Sequence, residues 1–156
     1  MSVRMHGTNI HPGTVSARGS LVGKGLVTFV AGVTMVGPFL ADWNATHLFN
    51  PLWPPHARFH GAQTMLLGLG LGACALGFTW WSGRDAGPRP RTGMLFASLY
   101  WLAQLGSIAF PGTAFVDPER AGTGQVLGIP AQVVLSAVLL GLLCAASLLE
   151  RRRAVS

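Results

Sequence analysis

The residues able to do chemistry in this chain crowd into one short stretch. Between Asp42 and His60, nineteen residues hold three of the chain's five histidines, an aspartate, an arginine and two asparagines. A carboxylate beside an imidazole can move protons near neutral pH, and an arginine can orient a polar head. Asp42, His47, His56, Arg58 and His60 are therefore the candidate catalytic residues. His56 and His60 stand four apart, which on a helix puts both imidazoles on one face. Together with His47 they are also the candidate ligands of a divalent metal, with Asp42 available as a fourth donor. The stretch lacks the glutamate of the helical zinc-hydrolase motif, so metal-assisted hydrolysis has no identified base.

Other polar and aromatic residues can supply a binding surface around this core. Asn44, Asn50 and Trp53 lie in the same stretch, and Gln63 with Thr64 continues the His56–His60 face along the following helix. From later in the chain come Tyr100, Trp101, Gln104, Asp117, Glu119 and Gln132. Four readings fit the cluster. It is an acid/base site for a lipophilic substrate, whose cationic intermediates aromatic faces can stabilise; or a metal site; or a scaffold in which histidines, asparagines and Arg58 satisfy the loop backbone; or a haem site. Haem is disfavoured, because these histidines precede or start one helix instead of facing each other across a bundle.

The elements that must position these residues are membrane spans. Half of the 156 residues are apolar and only 10% are charged, against about 25% in soluble domains; mean hydropathy is +0.46. The apolar residues fall in four blocks, at about 21–40, 59–81, 92–110 and 126–149, each near the length of about 20 residues that crosses a bilayer as a helix. Pro54-Pro55 predicts that the second helix begins there. In it, Gly68 and Gly72 form a small-xxx-small pair, which predicts that this span packs tightest against its neighbours. Cys74 and Cys144 lie deep in apolar blocks and read as small core residues, not as a redox pair. Residues 1–20 read as a flexible tail and 150–156 as a basic tail.

The net charge of +6 and a sequence pI near 11.1 do not point to nucleic acid, since the basic residues form no stripe and no stacking platform accompanies them. They punctuate the block ends. Nine of the eleven (Arg4, Arg18, Lys24, Arg84, Arg89, Arg91 and Arg151 to Arg153) fall on one side of a four-span layout, with Arg58 and Arg120 on the other. The positive-inside rule then predicts cytoplasmic N- and C-termini and an outer-facing site.

The run Asp42-Trp43-Asn44, Thr46-His47, Phe49-Asn50-Pro51 and Trp53 through His60 resembles the hallmark of a family of small four-span membrane proteins without an assigned activity. Size and four-span plan are also similar, at the level of fold, to DoxX-like proteins and to emopamil-binding-type sterol isomerases; no residue role transfers from either. The expectation is thus an all-α, integral membrane four-helix transmembrane bundle in the cell's inner membrane, with lipids as partners. Its function is an isomerase- or cyclase-type conversion of an isoprenoid or sterol-like molecule. The alternative is a non-catalytic membrane subunit or homo-oligomeric binding protein, whose 42–60 loop docks a partner or holds a divalent metal.

Overall fold

In the computed structural model the described residues are 12–81, 89–116 and 122–155. Four helices dominate them: α1 (Pro12–Asp42), α2 (Pro55–Trp80), α3 (Arg89–Gly106) and α4 (Ala131–Val155). A short 3-10 turn, Ser107–Ala109, ends α3. Three of the helices are long and apolar enough to cross a membrane, over Leu21–Asp42, Pro55–Trp80 and Ala131–Arg152. α3 is shorter, with 18 residues, and opens with Arg89-Pro90-Arg91, which dilutes its apolar character.

The helices run up, down, up, down. At one end, Gly23 near the start of α1 lies against Glu150 at the end of α4, and Gly93 of α3 lies against Thr79 of α2. α1 packs on α2 and α4, and so does α3, while α2 and α4 stay apart; α1 and α3 meet more sparingly across the ring. The core between them includes Val27, Val30, Ala31, Ala97, Trp101 and Leu139. Trp101 crosses the ring, donating its indole N–H to Thr34 Oγ1 at 2.9 Å. That hydroxyl donates in turn to the Val30 carbonyl at 2.9 Å, so both buried polar groups are satisfied.

The close approach of α2 to α1 depends on Gly68 and Gly72. A Cβ on Gly68 would stand 2.8 Å from both the Thr34 carbonyl oxygen and Pro38 Cγ, and one on Gly72 would stand 2.6 Å from the Ala31 carbonyl oxygen and collide with Met35. Pro38 sits inside α1 and has no N–H to offer Thr34, so that carbonyl is free to face the glycine. Cys74 and Cys144, expected in the core, are exposed on the bundle surface. Ala75 and Leu143 take the inward positions beside them.

Three boundaries differ from the sequence expectation, the last being that residues 150–155, read as tail, continue α4. Residues 12–20, read as tail, are already helical. Residues 126–130, read as the start of the fourth span, form instead a two-stranded hairpin, β1 (Gln125–Val126) against β2 (Ile129–Pro130), paired Gln125 to Pro130 and Val126 to Ile129. Leu127 and Gly128 turn between them with φ of 53° and 79°, the left-handed pair that a tight hairpin requires. Leu127 is 98% exposed at the tip.

Candidate functional site

The 42–60 loop folds on itself through its asparagines. Asn44 Oδ1 accepts the Thr46 amide at 2.9 Å and the Thr46 hydroxyl at 2.6 Å, while its amide donates to the Ala41 carbonyl at 2.6 Å. Asn50 repeats the device: Oδ1 accepts the Leu52 amide at 3.0 Å and Nδ2 donates to the Thr46 carbonyl at 3.2 Å. These are side-chain-stabilised turns of the kind asparagine forms readily. Arg58 Nη2 donates to the Asn50 carbonyl at 2.8 Å, clamping the loop to the first turn of α2. Asn44, Asn50 and Arg58 are therefore builders of the loop.

His47 is held by this frame. The single proton of the Thr46 hydroxyl goes to Asn44, so that oxygen accepts from His47 Nδ1 at 2.8 Å. The proton of a neutral His47 ring then sits on Nδ1, leaving the Nε2 lone pair facing Asp42, 3.8 Å from Oδ1. Trp53 packs edge-on against the ring, 5.5 Å between centroids.

Two cavities adjoin the Asp42–His47 pair, Asp42 lining the first and His47 the second. One is a cleft of about 640 Å³ between the first half of α2 and the second half of α3, where Asp42, Thr64, Tyr100, Gln104 and Gln132 meet walls that include Leu67, Leu71, Leu99, Ala103 and Ile108. Its volume lies within the roughly 300–1,000 Å³ of small-molecule sites, and its makeup, apolar walls with a few convergent polar groups, is theirs too. The other is a polar basin of about 420 Å³ on which Asn44, Thr46, His47 and Trp53 face Thr123, Gly124 and Gln132. Gln132 lines both and donates to the Phe115 carbonyl, tying α4 to the 107–116 segment. Ser136 reaches toward Gln104 Oε1 at 3.5 Å. So Asp42, Tyr100, Gln104 and Gln132 meet at one cleft, with His47 and Trp53 on the adjoining basin.

Residues 25–156 match the family model DUF6640, described as a family of unknown function. The chain belongs to that family. No curated protein and no solved structure matches it, and the likeness to DoxX-like and emopamil-binding-type proteins finds no counterpart in these comparisons.

The other candidate residues of this DUF6640 protein lie elsewhere. Trp101 is 2% exposed and belongs to the core, not to a pocket wall. His56, His60 and Gln63 form a separate exposed chain on the first turns of α2: His56 Nε2 is 3.0 Å from His60 Nε2, and His60 Nδ1 is 3.1 Å from Gln63 Oε1. His47 is turned to Asp42 instead, and among the described residues no three His, Cys, Asp or Glu side chains group as a metal would need. Asp117 and Glu119 lie outside the described residues. Missed by sequence reasoning were Ser107, Thr113 and Phe115, which line the cleft. Ser107 follows Gln104 by three, a helical spacing that could have found it; the turn-rich 111–116 segment carries no comparable signal.

Proposed function

We propose that this DUF6640 protein is a four-span membrane protein that binds a lipophilic molecule with a hydrogen-bonding head in the α2/α3 cleft, and that Asp42 and His47 exchange protons with it. The single observation that carries this reading is the Asp42 carboxylate, which lines the apolar cleft and lies 3.8 Å from His47 Nε2 on the neighbouring polar basin. A proton can pass from water in the basin through His47 to Asp42 and on to a double bond or carbonyl in the cleft. Tyr100, Gln104 and Gln132 would hold the head group. Leu67 and Leu99 both line the cleft and are exposed on the bundle surface, so an isoprenoid or sterol-like molecule can slide in from the lipid.

The four-span layout rests on α3. Its Gly93 contacts Thr79 near the end of α2, while its Gln104 shares the cleft with Thr64 near the start of α2, so α3 traverses the same slab as the helix it packs on. Eighteen residues rise about 27 Å, close to a hydrocarbon core of about 30 Å, and the 3-10 turn extends it. The charge asymmetry supports termini in the cytoplasm, the cleft toward the outside and residence in the cell membrane.

The experiment is photo-crosslinking of the protein in nanodiscs with diazirine-bearing isoprenoid and sterol probes, followed by peptide mapping. Labels should fall on residues 64–71 and 99–107, and Ala103→Trp, which fills the cleft, should remove them. Labelling spread evenly over the lipid-facing surface would sink the reading. The hydrogen-bonded loop favours a second reading, a binding protein without chemistry; Asp42→Asn that leaves both labelling and probe conversion unchanged would select it.

A further inference from the structure

The His56–His60–Gln63 chain plays no part in the cleft, and its geometry has its own chemistry. Gln63 Oε1 is an acceptor, so the proton of the His60 ring sits on Nδ1, 3.1 Å away, and His60 Nε2 presents a lone pair. That lone pair faces His56 Nε2 at 3.0 Å. The contact leaves two imidazoles, one turn apart on α2, with their Nε2 atoms side by side at 3.0 Å.

We propose that His56 and His60 form a two-nitrogen site for a tetragonal d-block dication of the Cu²⁺ or Ni²⁺ type. Two metal–nitrogen bonds of about 2.05 Å meeting near 90° span about 2.9 Å, whereas a tetrahedral angle spreads the nitrogens to about 3.3 Å. The 3.0 Å separation is set by the hydrogen bond between the rings and lies within the span one ion can bridge, and Cu²⁺ is the divalent ion that imidazole donors hold most tightly. Binding needs only that the proton between the rings move to His56 Nδ1, so that both Nε2 lone pairs point at the ion. Both rings are exposed, so the small rotation required meets no buried wall, and water can fill the remaining positions. Gln63 is the outer partner that fixes tautomer and ring orientation, as carbonyl oxygens do behind metal-bound histidines. His47 is not a ligand, because its Nε2 faces Asp42 and its Nδ1 is held by Thr46.

The test is a CuCl₂ titration of the full chain in phosphatidylcholine nanodiscs, purified without a polyhistidine tag and carrying His6→Ala and His11→Ala to remove the tail imidazoles. Calorimetry reads stoichiometry, and electron paramagnetic resonance counts coordinating nitrogens. The expected result is one Cu²⁺ with a two-nitrogen signature. His56→Ala or His60→Ala alone should weaken binding by about tenfold or more, Gln63→Leu by about tenfold, and His47→Ala not at all. Absence of a stoichiometric ion overturns the proposal, as does a two-nitrogen signal that survives the His56→Ala/His60→Ala double change, or one lost in His47→Ala. Thermal melting of each variant separates lost binding from lost fold, since substitutions at exposed positions should leave the midpoint where it was.

Discussion

At the scale of single residues, the 42–60 loop divides its polar groups among three jobs that use the same side-chain types. Asn44, Asn50 and Arg58 hold backbone, Asp42 and His47 face the cavities, and His56 with His60 stands apart. This is why the sequence located the cluster but could not sort it: an asparagine that caps a turn and one that binds a substrate look alike until the partners are seen. Two substitutions separate the jobs. Arg58→Ala removes the charged donor from the Asn50 carbonyl and should lower stability by about 1.5–3 kcal/mol, read as earlier melting with crosslinking at the cleft retained below the transition. Thr46→Val removes the acceptor that fixes the His47 tautomer, so the ring proton redistributes between Nδ1 and Nε2. Nitrogen-15 imidazole shifts should report the change, and an unchanged spectrum would contradict the assigned hydrogen-bond direction.

At the scale of elements, the small-residue pair in the second helix was legible because its physics is local: only glycine lets two helix backbones close to contact. Gly68→Ala pushes a methyl into the Thr34 carbonyl and Pro38, and overpacking of this kind should cost about 1–3 kcal/mol, measurable as a shifted unfolding midpoint in detergent. Gly70→Ala, one turn face away with open space at its Cβ position, is the control and should leave the midpoint unchanged or slightly raised. The hairpin was not legible. Val126 and Ile129 extend the apolar run of α4, and periodicity cannot distinguish that run from helix. The glycines at 124 and 128 held the signal, since both take φ values above +60°. The third helix was legible as an apolar block, yet its Arg-Pro-Arg opening keeps it from qualifying by composition alone.

At the scale of the whole molecule, the ring order of helices explains how a site can be assembled from residues spread over ninety positions. Antiparallel neighbours bring the end of α1, the start of α2, the end of α3 and the start of α4 to one rim, where Asp42, Thr64, Gln104 and Gln132 meet. Sequence reasoning reached the rim through hydropathy and charge, but the cleft depends on how α2 and α3 are spaced, which no local pattern encodes. Impermeant maleimide labelling in a Cys74→Ala/Cys144→Ala background checks the layout. Ala45→Cys and Thr113→Cys should react in intact cells, while Arg91→Cys and Arg152→Cys should react only after permeabilisation. Thr113→Cys that stays unreactive in intact cells while Ala45→Cys reacts would show that α3 fails to cross. The indole bridge across the ring also makes the fold its own optical gauge. Trp43, Trp80 and Trp81 are at least half exposed, whereas Trp101 is 2% exposed and bonded to Thr34. Brominated acyl chains should therefore quench the exposed indoles and spare a blue-edge emission from Trp101, whose intensity tracks the distance between α1 and α3 without any added dye.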